Sequence, residues 1–492
     1  MNTTVLAKKY NLPFDVWEVI FQYCSTSTLL NVCLVCRTFR SISTRLIYRH
    51  LELTRGHETI GCFRTLSKNS LAARSVRQLW MKFRIDIYPE ASVLLQGFFR
   101  LLSRALPRLI HIKTLEFRVI HRDLPQLAEH FSYVFEKCVF PQLSMLLLYT
   151  PITTTIASFL HRHQETLKTL FLMPLTEMNT ENTMKLAKVG RWRFPNLSWF
   201  HASATVVPVF LSEPTILPSV RKMEVSCTLD PTIVLGDIIR GMKKSVGDRR
   251  LSRLSFNRSG WNVDLIEEIA MGELKFGILT VHCIWFEHLE EEEEMILNED
   301  KLVRVQQSLA KISASETLHS FFWSVETNGG DYPEPSLTVD EELQWMMRFG
   351  EACPSLNICQ IPHGLQWNRY TDTIWIPDDD PSKEFLATEW LFDQLHTRRF
   401  PALQEFLEIL EAKAKYPSLA FIKEVVKGFC ESVEDSEEEE SRRTKTEDLL
   451  AVGILFVFWF TDLSGWKESP AYQRIRERWL EAKEKKPRVV EA

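Results

Sequence analysis

From residue 76 onward the chain repeats one spacing: an apolar residue, two others, a second apolar residue, one other, a third apolar residue. The triplets are Val76-Leu79-Met81, Ile112-Leu115-Phe117, Leu143-Leu146-Leu148, Leu167-Leu170-Leu172, Leu197-Phe200-Ala202, Val220-Met223-Val225, Leu251-Leu254-Phe256, Phe276-Leu279-Val281, Leu318-Phe321-Trp323 and Leu356-Cys359-Ile361. Their middle residue advances from 79 to 359 in nine steps of about 31 residues, the single steps running from 23 to 42. The last two members stand two apart, as on one face of a short strand. Because 45 % of the chain is apolar, such triplets also arise by chance, and proline supplies the second signal. Phe140-Pro141-Gln142-Leu143, Phe194-Pro195-Asn196-Leu197, Leu217-Pro218-Ser219-Val220 and Cys353-Pro354-Ser355-Leu356 each set Pro two residues ahead of a triplet, where it ends a preceding helix and extends the chain. Amphipathic stretches such as Thr154 to His163 and Val263 to Met271 lie between. A strand-plus-helix unit of this kind cannot bury its apolar side alone and must stack on its neighbours. The alternative is an unrelated α/β domain.

The first fifty residues are of another kind. Val16, Val19, Ile20 and Tyr23 form one helical stripe, and Trp17, Phe21 and Cys24 an adjacent one. Pro13 and Asp15 suit the helix start. Ser25, Thr26 and Ser27 can cap a second short helix carrying Leu29, Leu30, Val32 and Cys33, and Phe39, Ile42 and Leu46 mark a third. Three short helices bury little by themselves. The extra apolar stripe implies a partner, or else a plain helical cap on the next domain.

In order, Leu12-Pro13-Phe14-Asp15-Val16, Ile20-Phe21, Leu29, Leu34-Val35-Cys36-Arg37, Phe39 and Leu46-Ile47-Tyr48 resemble the F-box over roughly residues 10 to 52. Asp15 stands where glutamate is usual, Val16 replaces a typical leucine, and Phe39 occupies a place often held by tryptophan; charge sign and apolar character are kept. The resemblance implies docking onto the small adaptor subunit of SCF-type ubiquitin ligases, and through it cullin, with Leu12, Pro13, Val16, Trp17, Ile20 and Leu29 as contact candidates. The triplets resemble irregular leucine-rich repeats of the kind found behind F-boxes in fungal-type substrate receptors. The usual Asn or Cys three places after the last apolar residue is absent; Pro151, Leu175 and Thr228 stand there in three repeats. The implied fold class is α/β: an N-terminal three-helix F-box (10–52), a linker (53–75), an irregular leucine-rich-repeat-like solenoid of strand-plus-helix units (76–375), a helical C-terminal cap (376–430), an acidic loop (431–446) and C-terminal helices (447–492).

If parallel strands line one wall, residues between the apolar positions face away from the core. Tyr149, Phe171, Trp199, His201, Arg253, Asn257, His282 and Phe322 then form a reading surface for a protein substrate, with the aromatic and Arg composition of protein hot spots. Pro377-Asp378-Asp379-Asp380-Pro381 reads as a turn before a helical stretch with Leu386, Trp390, Leu391 and Leu395. Acidic runs at Glu290 to Glu294 and Glu431 to Glu440 read as solvated loops.

A net charge of −5, from 59 basic and 64 acidic residues among 492, predicts no global attraction to nucleic acid or anionic lipid, although a basic patch can exist locally. The N-terminus lacks the apolar core of a secretory signal, and ten irregularly spaced Cys fit a reducing compartment without disulfides, so a cytoplasmic or nuclear protein is expected. The longest apolar run, Leu449 to Phe460, is shorter than the roughly 20 residues a bilayer needs. The phosphate-cradling, nucleophile-elbow and zincin motifs are absent. Cys33 and Cys36 have zinc-ligand spacing without a second pair, and His161 and His163 point to different sides of a helix. The expectation is a binding protein with no catalytic residues, cofactor or metal; the rivals are an F-box scaffold outside any ligase and an enzyme on an unrecognised α/β fold.

Overall fold

A computed structural model of the chain describes residues 12–84, 92–120, 133–150, 152–173, 192–211, 213, 216–227, 235–285, 297–314, 316–327, 337–369, 372, 375–378 and 390. Two compact units divide the chain, Met1–Arg258 and Ser259–Ala492.

The first unit opens with helices α1 (Phe14–Gln22), α2 (Thr26–Val32) and α3 (Arg37–Ile47). Pro13, with φ fixed at −51°, stands directly before α1, and Asp15 lies in its first turn. Ser25 Oγ accepts the Thr28 amide at 3.2 Å to start α2, and Cys36 Sγ accepts the Phe39 amide at 3.4 Å to start α3. The next stretch, expected as a linker, is built instead of strand β1 (His50–Leu53) and helices α4 (Gly56–Lys68) and α5 (Ser70–Ser75). Its sequence contains no proline and buries Phe63, Leu66, Ala72 and Ala73, and α5 packs on α3. The periodic series therefore begins one strand earlier than the triplets do.

From there the elements follow in the order β2 (Gln78–Arg84), α6 (Ser92–Ala105), β3 (Thr114–Ile120), β4 (Met145–Tyr149), α7 (Thr154–His163), β5 (Thr169–Leu172), β6 (Trp199–Ser203), α8 (Val207–Phe210), β7 (Lys222–Ser226), α9 (Leu235–Val246) and β8 (Leu251–Ser259). Strands β1 to β8 lie side by side in chain order, every neighbouring pair parallel. The triplets set the register, because a one-residue slip would turn every apolar side chain to the wrong face. Leu51, Leu79, Leu115, Leu146, Leu170, Phe200, Met223 and Leu254 stand opposite one another across all eight strands. From Leu79 to Leu254 each of these side chains is at most 1 % exposed. Burial of one such side chain stabilises by about 1.5–3 kcal/mol. Helical aromatics close the core, with Phe135 touching Phe117 of β3 and Phe159 of α7 at ring centroids of 5.5 and 4.9 Å.

Each strand begins in the same way. The carbonyl of Arg49 accepts the amides of both Arg77 and Gln78, that of Arg77 those of Lys113 and Thr114, and the pattern continues through Lys113, Ser144, Lys168, Ser198 and Arg221. Proline acts differently from expectation. Pro141, Pro195 and Pro354 are second residues of β-turns in which the fourth amide (Leu143, Leu197, Leu356) bonds the first carbonyl (Phe140, Phe194, Cys353) at 3.0, 3.3 and 2.9 Å. Its fixed φ suits that position, and the flanking apolar residues are buried.

The second unit contains α10 (Val263–Met271), β9 (Phe276–Trp285), α11 (Glu299–Ser313), β10 (Ser320–Thr327), α12 (Val339–Ala352), β11 (Ile358–Gln360), β12 (Gln366–Arg369) and β13 (Trp375–Asp378). Strands β9, β10 and β11 are parallel with Leu279, Phe321 and Cys359 opposite one another. Antiparallel β12 and β13 follow at one edge, so Pro377 and Asp378, expected in a turn, end a strand. Buried Glu342 of α12 fixes the β11–β12 connection: its Oε2 accepts the Leu365 amide at 2.9 Å and Trp367 Nε1–H at 3.0 Å. Trp390, one of the four residues named for the expected C-terminal helical stretch, is buried, donates Nε1–H to Asp340 at 2.8 Å and meets Trp367 edge-on at 5.3 Å. Apart from 376–378 and Trp390, the expected cap, acidic loop and C-terminal helices lie outside the described residues, as does the Glu290 to Glu294 run. Among the described residues no helix is long and apolar enough to cross a membrane.

Candidate docking surfaces

The two stripes of α1 meet opposite environments. Trp17, Phe21 and Cys24 turn inward: Phe21 joins Leu29 and Ile42 in the core, with Phe14, Trp17, Cys24, Val32, Phe39, Leu46 and Ile47 packed around it. The Trp17 ring lies 5.6 Å from Phe21 and 4.8 Å from Phe39, and Phe21 meets Phe39 edge-on at 5.0 Å. Val16, Val19, Ile20 and Tyr23 turn outward, at 39, 53, 42 and 88 % exposure. Leu12, Leu30, Leu34 and Val35 are exposed as well, so eight of the thirteen large apolar side chains exposed among the described residues fall between positions 12 and 35. Single exposed apolar residues are ordinary, but a concentration of this size marks an interaction site.

Of the six contact candidates, Leu12, Pro13, Val16 and Ile20 are on the open face, Trp17 is half-buried in the helical core, and Leu29 is buried. Leu29 thus belongs to the core, because α2 packs on α3 through it. Val19 and Tyr23 were missing from the candidates although they share the stripe of Val16 and Ile20; Leu30, Leu34 and Val35 complete the face. Cys36 is exposed and caps α3, and among the described residues no group of three or more His, Cys, Asp or Glu side chains gathers to hold a metal. The nine described cysteines are free thiols; burial pushes Cys138, Cys227 and Cys283 up to about 12 and Cys62 to about 11.

On the outward face of β1 to β8, cross-strand register collects most of the other candidates. Phe171 meets Trp199 at 4.8 Å and His201 at 5.0 Å, and Lys222 lies over the Trp199 ring at 5.4 Å. Arg118 lies over Tyr149 at 4.9 Å. His201 Nε2 shares a hydrogen bond with Ser226 Oγ at 2.9 Å, its Nδ1 is 3.7 Å from Glu224 Oε1, and Asn257 Nδ2–H donates to the same Glu224 oxygen at 3.2 Å. Arg253 is exposed and donates Nε–H to Ser255 Oγ at 3.0 Å. Phe171, Trp199, His201, Arg253 and Asn257 therefore form one patch, with Tyr149 a strand away. In the second unit Phe322 is half-buried, and His282 Nδ1 shares a hydrogen bond with Ser324 Oγ at 2.8 Å.

Hydroxyl, imidazole and carboxylate follow one another at Ser226, His201 and Glu224, the order a nucleophilic hydrolase uses. The geometry here is structural. Ser226 is 3 % exposed, and Glu224 lies beyond hydrogen-bond reach of the imidazole it would orient. Burial lowers the His201 pKa and Glu224 partly opposes it. Burial likewise raises that of Glu116, against Lys82 and Arg118 beside it.

The sequence comparison agrees with the geometry of the helical trio: residues 10–51 match the family model of the F-box domain. The chain therefore carries an F-box domain, a class that generally binds the adaptor subunit of SCF ligases. No curated protein matches the chain.

Proposed function

We propose that this chain is a substrate-recognition subunit of an SCF-type cullin–RING ubiquitin ligase. The observation that carries the reading is the bare apolar face of α1 and α2 inside the F-box match. Leu12, Pro13, Val16 and Ile20 contact the adaptor, with Trp17 supporting them from beneath. A handful of such side chains, each worth about 1.5–3 kcal/mol when buried, supports a sub-micromolar contact after association costs. The strand-plus-helix series acts as an irregular leucine-rich-repeat-like solenoid that binds a protein substrate: in the first unit through the outward face with Tyr149, Phe171, Trp199, His201, Arg253 and Asn257, while His282 and Phe322 are the contact residues of the second unit taken by itself. The chain performs no bond chemistry; it raises the concentration of substrate beside the ubiquitin-carrying enzyme. The test is co-purification from cells. The wild type is expected to recover adaptor and cullin together, and the Leu12→Ala/Pro13→Ala variant neither; adaptor without cullin would mean a scaffold outside a ligase, and undiminished adaptor recovery by the variant would remove the docking role.

A further inference from the structure

The shared strand-entry geometry places one residue of each strand on the sheet's leading rim. Across the first unit these are Arg49, Arg77, Lys113, Ser144, Lys168, Ser198, Arg221 and Ser252, each linked to the next by the amide-to-carbonyl bond of the strand entry. Five of the eight are cations and none is acidic. The serines are engaged locally: Oγ of Ser144, Ser198 and Ser252 donates back to the carbonyls of Lys113, Lys168 and Arg221. Arg49, Lys113, Lys168 and Arg221 are exposed, and among the described residues no rim cation is ion-paired. The nearest carboxylates in sequence are Glu52, Glu116, Glu165 and Glu224, each three residues from a rim cation; Lys82 Nζ lies 3.9 Å from both Glu52 and Glu116, and Glu224 faces His201 Nδ1 at 3.7 Å. In the next row Lys222 and Arg253 add two more cations beside Trp199. The equivalent rim of the second unit is neutral, with Gly277, His319 and Asn357. In a chain of net charge −5 this edge is a local excess of positive charge.

We propose that the rim is a docking track for an extended, acidic protein segment, which defines the substrate class for the reading above and rests on it. Parallel strands about 4.8 Å apart put Arg49 and Arg221 about 29 Å apart, the reach of roughly nine extended residues. An acidic segment relieves the mutual repulsion of the row, which already contributes, after burial, to a lowered Arg77 pKa through Arg49 and Arg45. Protein rather than nucleic acid fits because no rim residue is aromatic, so bases find no row of stacking platforms there, and of the two rings in the next row, His50 at the first strand and Trp199, the larger is already engaged by Phe171 and Lys222. A Trp–Phe pair beside Lys and Arg is instead the composition of a protein hot spot.

The test is fluorescence anisotropy of the full-length chain with a labelled twelve-residue oligoglutamate peptide and, separately, a twelve-nucleotide oligodeoxythymidine, at low ionic strength. The peptide is expected to bind, to be weakened at least about tenfold by Lys113→Glu/Lys168→Glu/Arg221→Glu, and to be weakened less by the matching Gln variant. Arg64→Glu/Lys68→Glu/Arg104→Glu, the same charge change on exposed helix positions, is expected to leave it unchanged. Absent binding, equal weakening by that second triple, or tighter binding of the oligonucleotide overturns the proposal. Adaptor recovery by the rim variant is measured in parallel: lost peptide binding with intact adaptor recovery concerns the rim alone, whereas absent adaptor recovery by the wild type concerns the ligase reading.

Discussion

Val16 and Trp17 are neighbours in sequence and serve different ends. Trp17 fills the helical core between Phe21 and Phe39, whereas Val16 is left in water beside Ile20. The two-stripe pattern of α1 was legible because helical periodicity separates the stripes; which stripe was core was not, since both are apolar and only the aromatic packing from α3 decides. Leu29 shows the same limit, being a motif position whose burial depends on a helix ten residues away. Single atoms also decide at Gly364, where an added Cβ would lie 2.7 Å from Ile361 Cγ1 and 2.9 Å from Glu342 Oε2, the oxygen that already accepts from Leu365 and Trp367. Gly364→Ala is expected to destabilise by about 1–3 kcal/mol through overpacking. Gly61→Ala, with nothing within 4 Å on an α4 turn, is expected to be neutral or to stabilise by up to about 1 kcal/mol. Thermal midpoints of the two variants check the ranking, which reversed order would refute.

At the scale of elements the sequence was most informative where one period was clean. All ten triplets place their middle residues on a core-facing register row, and the two helices named from periodicity, Thr154–His163 and Val263–Met271, have those bounds. What escaped was local geometry that spacing does not encode: the proline turns, the helices of residues 53–75, and the antiparallel β12 and β13. Four of the five rim cations were within reach, since Arg77, Lys113, Lys168 and Arg221 directly follow the first residue of a triplet; Arg49 precedes the first triplet. Joints between elements carry their own consequence. His163 at the end of α7 accepts the Phe140 amide on Nε2 at 2.8 Å and bonds the Phe159 carbonyl through Nδ1 at 2.7 Å, which requires the neutral ring. Burial lowers its pKa from 6.5, the Phe159 bond opposes that, and Arg162 adds a smaller lowering. The unfolded chain then takes up this proton first, so the stabilising contribution is complete above pH 6.5 and is lost as pH falls toward the depressed folded value. The thermal midpoint is expected to drop between pH 7 and about 5, and to drop less in His163→Gln; identical pH profiles would show that the joint does not titrate.

Among the described residues two kinds of surface stand out. One is apolar and concentrated on the F-box helices and their flanking turns; the other is cationic and runs along the leading rim of the first unit. Neither adds to the stability of the isolated chain, since the first leaves greasy side chains in water and the second crowds like charges. Both make sense in a protein that joins two others. The most direct measurement is the affinity of purified ligase adaptor for the full-length chain, wild type against Val16→Asp/Ile20→Asp, with thermal midpoints recorded alongside. Sub-micromolar binding by the wild type, weakened about a hundredfold or more in the variant at an unchanged midpoint, is the expected result; equal affinities, or a wild type that does not bind, would contradict it.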